Sequence, residues 1–136
     1  MVAIVKASEL FKKESDAILR NYGLTFSQYN VLRILNNSKD GRNSVINASK
    51  IMLVSSPNLT GLAKRLEKND FIIRKRDSMD ERITVLEITL KGRQALKAIR
   101  TAQDNNIRGY LTGFSQKEKR KVLEDLKRIF NKSPLK

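Results

Sequence analysis

The stretch Val54-VSSPNLTGLAKRLEKNDFIIRKRDSMDERITVLEIT-Thr89 decides how the chain reads. Leu59, Leu62, Ala63 and Leu66 recur at i, i+3, i+4 and i+7, which makes one apolar stripe on a helix. Ser56 ahead of Pro57 is a helix-start signal, because a serine side chain can cap the orphan amides and proline is tolerated at the first helical position. The opposite face carries Asn58, Thr60, Gly61, Lys64 and Arg65. After Asn69-Asp70 the period changes: Phe71-Ile72-Ile73 and Ile83 to Ile88 are β-rich runs. Between them Arg74, Lys75, Arg76, Asp77, Ser78, Met79, Asp80, Glu81 and Arg82 form a charged hairpin tip that cannot be core.

A helix with an apolar back and a polar, positive front suits a major groove, which admits one helix and offers base edges as hydrogen-bond partners. Joined to a basic hairpin, it is the winged helix-turn-helix plan. An ordinary solvated hairpin is the bland alternative. The cap, the apolar stripe and the basic tip occurring together argue against it.

The chain has 136 residues, enough for one domain with a moderate core. Its net charge is +14 and its pI about 10.3. Nucleic acid is the commonest partner for so basic a domain, since neutralised phosphates release counterions. An anionic membrane surface is the rival partner. No apolar run approaches a transmembrane span. The start, MVAIVKASELFKKES, reads as an amphipathic helix and shows no obvious signal-peptide cleavage site, so the cytoplasm is the default. Without cysteine or histidine, disulfides, thiolate chemistry and Cys/His zinc sites are excluded and the commonest general base is missing. No phosphate-cradling glycine loop or nucleophile elbow is present. No enzyme, cofactor or metal site is expected.

The rest of the chain supports the central stretch. Residues 2 to about 21 read as a helix with Ala3, Ala7, Leu10, Phe11, Ala17 and Ile18 near one face, ended by Tyr22-Gly23. Phe11 and Tyr22 are either core or the lining of a small-molecule pocket. Thr25 and Gln28 form a capping-box pattern. The helix that follows should turn Phe26, Tyr29, Leu32 and either Val31 or Leu35 inward. Asn36 to Asn43 reads as a loop. Ser44 can cap a short helix from Val45 to about Leu53, with Ile46, Ile51, Met52 and Val54 as core. A long helix runs from Thr89 to about Leu111, with Gln103-Asp104-Asn105-Asn106 as a polar interruption. Ser115 and Glu118 make a second capping box, and Val122, Leu123, Leu126, Ile129 and Phe130 form the last stripe, before a frayed tail containing Pro134.

The expected fold is therefore mainly α with a small β-hairpin wing. The reading is one chain, 1–136, in which 1–22 and 89–136 are dimerisation helices around a winged helix-turn-helix lobe, 23–88. A recognition helix gains most from a two-fold partner reading the next half-site, which favours a homodimer.

Leu24 to Leu32, Arg65 to Arg74, Asp80-Glu81-Arg82 and Leu86 to Arg93 carry a family likeness. The chain resembles the MarR family of bacterial winged-helix transcription regulators over nearly its whole length. Its lysine-rich composition is also similar to the related Sar-type regulators, while Thr89-Leu90-Lys91-Gly92-Arg93 looks closer to MarR. The resemblance implies a homodimer that represses promoters at palindromic double-stranded sites and is often released by a small aromatic or phenolic effector. By position it implies that Ser56, Asn58, Thr60 and Lys64 face the major groove. Arg82 would then enter the minor groove, braced by Asp80. Pro57, Gly61, Arg65, Arg74, Lys75 and Arg76 complete the expected DNA-contacting set. An effector pocket would draw on Phe11, Tyr22, Phe26 and Tyr29. Glu81 departs from the Asp-Arg-Arg common at the family's wing tip, and Gly61 from a frequent basic residue. Members that sense peroxide through cysteine are no guide to this chain.

Three alternatives stay open. Asn58 either pairs bidentately with adenine or serves the helix start. Arg82 either reads minor-groove width or makes a surface pair with Asp80 or Glu81. The function classes that compete with a DNA-binding regulator are an RNA-binding or ribosome-associated basic protein and a winged-helix protein–protein module.

Overall fold

The computed structural model describes residues 2–132, apart from the side chain of Phe130; that stripe position and Pro134 lie outside the described residues. The elements are α1 (Val2–Asn21), α2 (Phe26–Asn37), a 3-10 turn (Lys39–Gly41), β1 (Arg42–Ser44), α3 (Val45–Met52), α4 (Ser56–Lys68), β2 (Ile72–Arg76), β3 (Thr84–Ile88), α5 (Leu90–Tyr110) and α6 (Gln116–Asn131). The chain divides into two compact units, Met1–Gln103 and Asp104–Lys136.

In the first unit the helices collect around a three-stranded antiparallel sheet of order β1-β3-β2. Leu86 and Ile88 of β3 are buried, and Ile72 pairs with Ile88 while Arg76 pairs with Thr84. The core holds Leu19, Leu32, Leu35, Leu59, Leu66 and Ile99, all essentially inaccessible. All four residues of the α4 stripe are buried. Each leucine so placed contributes about 1.5–3 kcal/mol of transfer free energy, so that face is fixed and the other must look outward.

The helix starts form as the sequence indicates. Thr25 N–H donates to Gln28 Oε1 at 2.9 Å and Gln28 N–H to Thr25 Oγ1 at 3.2 Å. Ser44 Oγ accepts from Asn47 N–H, and Ser115 and Glu118 bond reciprocally. In α5 the polar run brings no break. Gln103 reaches sideways instead, accepting from Tyr29 Oη at 3.4 Å and donating to Ser15 Oγ at 2.9 Å.

Several expectations are corrected. The loop expected from Asn36 to Asn43 contains the end of α2, the 3-10 turn and most of β1. Three polar residues carry no strand period; β1 exists because β3 offers a second edge, with Asn43 opposite Leu86 and Ser44 opposite Val85. Phe26 is 56% exposed rather than inward. It shares a helix face with Arg33, seven residues on and also exposed, whereas the buried stripe is Gln28, Val31, Leu32 and Leu35, with Tyr29 beside it. In α3 the buried register is Val45, Ala48 and Ser49, with Met52 and Val54 partly buried. Ile46 and Ile51 lie off that stripe and are exposed. Small residues hold the inward face, which permits close helix packing. Along α1 only Leu19 is buried, so Leu10, Phe11 and Ala17 are not core of this chain, and Tyr22 is exposed as well.

The second unit is the end of α5 and α6. On α6 the stripe Val122, Leu123, Leu126 and Ile129 is exposed along its length.

Candidate nucleic-acid interface

The cap of α4 is Ser55, not Ser56. Ser55 Oγ accepts from Asn58 N–H at 3.3 Å. Ser56 occupies the first turn, where its hydroxyl lies 3.2 Å from Ser49 Oγ of α3 and ties the two helices at their corner. The corner turns through Leu53, which adopts a left-handed φ of 56° and is exposed. Asn58 therefore serves the helix start through its backbone alone, and its side chain is left exposed along with Pro57, Lys64 and Arg65. Thr60 and Gly61 are half-buried, and the Thr60 hydroxyl donates to Ser56 O at 2.9 Å. The outward face of α4 thus offers one carboxamide, three cations (Lys64, Arg65 and Lys68) and a gap at Gly61.

Arg74, Lys75 and Arg76 belong to β2, so the tip proper is the shorter turn between β2 and β3. Their charges are not all directed at solvent. Arg74 meets Glu67, in the last turn of α4, through its backbone N–H at 3.2 Å and its guanidinium at 2.6 Å. That double contact straps the hairpin to α4. The guanidinium bond holds the Glu67 carboxyl below its ordinary range. Lys75 and Arg42 converge on Glu87 at 2.8 and 3.1 Å, and they lower its carboxyl in the same way. Arg76 donates to Glu81 O at 3.3 Å.

At the tip Asp80 takes three bonds from Arg82: its backbone N–H, Nε and Nη2, each at 3.0 Å. The pairing lowers the Asp80 carboxyl and raises the Arg82 guanidinium. Arg82 is still 91% exposed, so the bracing aspartate fixes its direction without covering it.

Sequence reading missed Glu67, Glu87, Arg42, Asp77 and Ser55 as the parts that hold this surface. Two left a local trace. Asp77-Ser78-Met79 is an Asx-turn pattern, and Ser55 is the first serine of a pair before proline. The Arg42–Glu87 contact depends on sheet register and the Glu67–Arg74 contact on how α4 packs beside β2, and both left none.

The aromatic set expected to line a pocket differs in burial. Tyr29 is buried, while Phe11, Tyr22 and Phe26 are exposed. A groove of about 500 Å³ opens between α2 and α3, lined by Asn30, Arg33, Ile34, Ile51 and Met52 among others; none of the four aromatics lines it. No group of acidic residues among those described could hold a metal ion, and no helix among them is long and apolar enough to cross a membrane.

Compared with known proteins, residues 13–99 match the model of the transcriptional regulator SarA/Rot family. The chain belongs to that family. It is 28% identical to the HTH-type transcriptional regulator SarZ of Staphylococcus epidermidis over 129 residues, 95% of this chain and 84% of that one. Its fold is that of the YusO protein from Bacillus subtilis, with a TM-score of 0.87 at 20% identity over 97% of this chain and 92% of the other. A MepR variant from S. aureus bound to an oligodeoxyribonucleotide has a TM-score of 0.75 at 21% identity, covering 96% and 94% of the two chains. A MarR family protein from Bacillus stearothermophilus has the same fold, so the Sar-type assignment and the MarR-like architecture agree.

Proposed function

We propose that this member of the SarA/Rot family regulates transcription by binding a palindromic double-stranded DNA site as a homodimer, most simply as a repressor. The observation that carries the reading is α4: four buried apolar residues lock it, and the exposed Asn58, Lys64 and Arg65 stand on the side they leave open. Asn58 supplies base choice, while Lys64 and Arg65 supply phosphate affinity. Arg82, held outward by Asp80, enters the minor groove and favours A·T-rich flanks, where the negative potential is deepest. Arg74, bound to Glu67, acts mainly as a strap.

Dimerisation through 1–22 and 89–136 is supported by apolar side chains left uncovered in each unit: Val2, Ile4, Val5 and Leu10 in the first, Val122, Leu123, Leu126 and Ile129 in the second. Surfaces of this kind are usually covered by a partner. Release by a small aromatic effector completes the proposal, and a thermal-shift screen with phenolic acids tests that part.

The deciding experiment is selection of bound sequences from a random duplex pool. A two-fold symmetric consensus with half-sites about one helical turn apart is expected. Enrichment of no sequence, or preference for structured RNA at matched salt, would overturn the reading.

A further inference from the structure

The wing tip presents a large apolar side chain at full exposure. Met79 is 92% exposed, three residues before Arg82. The turn that carries it is tightly bonded. Asp77 Oδ2 accepts from the backbone N–H groups of Met79 and Asp80, both at 3.0 Å. Asp77 N–H donates to Ile83 O and Ile83 N–H to Asp80 O, both at 2.9 Å. These bonds use backbone atoms and an aspartate carboxylate. None uses the Met79 side chain, so the fold holds that thioether out in water without depending on it.

We propose that Met79 is a second minor-groove reader, packing its thioether against the groove interior beside Arg82 and sharpening the choice of A·T over G·C flanks. The inference rests on the reading that the wing enters DNA. The minor groove is about 6 Å wide, narrow enough to take an unbranched side chain between its walls. Over A·T pairs its floor presents only acceptor edges. A G·C pair adds the guanine amino group, which projects into the space an apolar chain would fill. Methionine is among the side chains that proteins insert at base steps from this groove. Arg82 responds to potential and Met79 to shape, so the two readouts separate by salt dependence.

The test uses full-length Met79→Ala, Met79→Gln and Met79→Leu variants with duplexes carrying the selected consensus and either A·T or G·C flanks, followed by fluorescence anisotropy across a salt series. On A·T flanks the alanine and glutamine variants are expected to bind about fivefold to tenfold more weakly, the loss from partly burying one apolar side chain. On G·C flanks they should stay within about twofold, and leucine should stay within about twofold on both, since it keeps the apolar volume. The slope of log affinity against log salt should not change, because no charge is removed. A glutamine variant that binds A·T flanks like wild type overturns the proposal, and so does an equal loss on both flanks. If the wild-type chain binds no two-fold symmetric duplex, the proposed function falls and this inference with it.

Discussion

Gly92 and Gly61 allow one chemical change to be made twice with opposite consequences. Gly92 lies in the first turn of α5 and is buried. A Cβ there would press into the backbone carbonyl oxygen of Phe71 and stand 2.7 Å from Ile88 Cγ1. That carbonyl cannot turn aside, because it accepts from Thr89 N–H at 3.1 Å and lies 3.0 Å from the donating Thr89 hydroxyl. The same Thr89 oxygen caps the Gly92 N–H at 3.1 Å. Overpacking a core costs about 1–3 kcal/mol, and a backbone obstacle puts Gly92→Ala near the top of that range or beyond. Helix propensity returns at most about 1 kcal/mol, so a net loss of about 2–4 kcal/mol is expected. Gly61 sits inside α4, and apart from the adjoining helix backbone and chain neighbours nothing lies within 4 Å of a built Cβ. There alanine should add up to about 1 kcal/mol of stability. Urea unfolding followed by circular dichroism, at one fixed protein concentration, measures both. A Gly92→Ala midpoint at or above wild type would refute the packing argument. The Gly61→Ala variant also bears on function: if the gap on α4 admits a base or phosphate closely, that variant will be more stable yet bind DNA more weakly.

The Glu67–Arg74 strap predicts an acid-sensitive wing. The guanidinium depresses the Glu67 carboxyl in the folded state, so its contribution is present above the unfolded value of about 4.3 and is lost as pH falls through the folded value. The urea midpoint should therefore drop as pH falls below the unfolded value of about 4.3, and less steeply in Glu67→Gln. Arg82→Ala should weaken binding to a cognate duplex by roughly tenfold and reduce the salt slope by about one; unchanged affinity and slope would remove Arg82 from the interface. Leu126→Glu places a charge in the exposed α6 stripe, and sedimentation should show the proposed dimer shifting to monomer with the fold intact by circular dichroism. Thr25→Ala breaks the α2 capping box and should cost about 1 kcal/mol by urea unfolding.

What could be read without coordinates divides along physical lines. The α4 stripe was legible because four apolar residues at helical spacing admit one inward face. The capping boxes were legible because the partners are three residues apart. Short helices were harder: in α3 the larger Ile46 and Ile51 looked like core, but Val45, Ala48 and Ser49 hold that face, since close helix packing selects size over hydropathy. The strand β1 carries no period of its own and is defined by its pairing to β3. In α1, α5 and α6 apolar patterning announced burial that the single chain does not provide, which is what an interface face looks like before its partner is present.

The charge of +14 was also legible as a total but not as a surface. Four cations around the wing, Arg42, Arg74, Lys75 and Arg82, are each paired with a carboxylate. Exposed pairs of this kind add little to stability, so stability does not explain their concentration around one hairpin. Their effect is geometric. Each carboxylate restricts a long side chain to one direction before any phosphate arrives, and ordering side chains is a main cost of association. Lys64 and Arg65 on α4 make no ion pair among the described residues, and their side chains are exposed to an approaching anion. The two halves of the surface therefore work differently. The helix supplies uncompensated charge, while the wing supplies direction at the expense of charge. In the proposed complex, a carboxylate that a phosphate displaces is a brace only until DNA is bound.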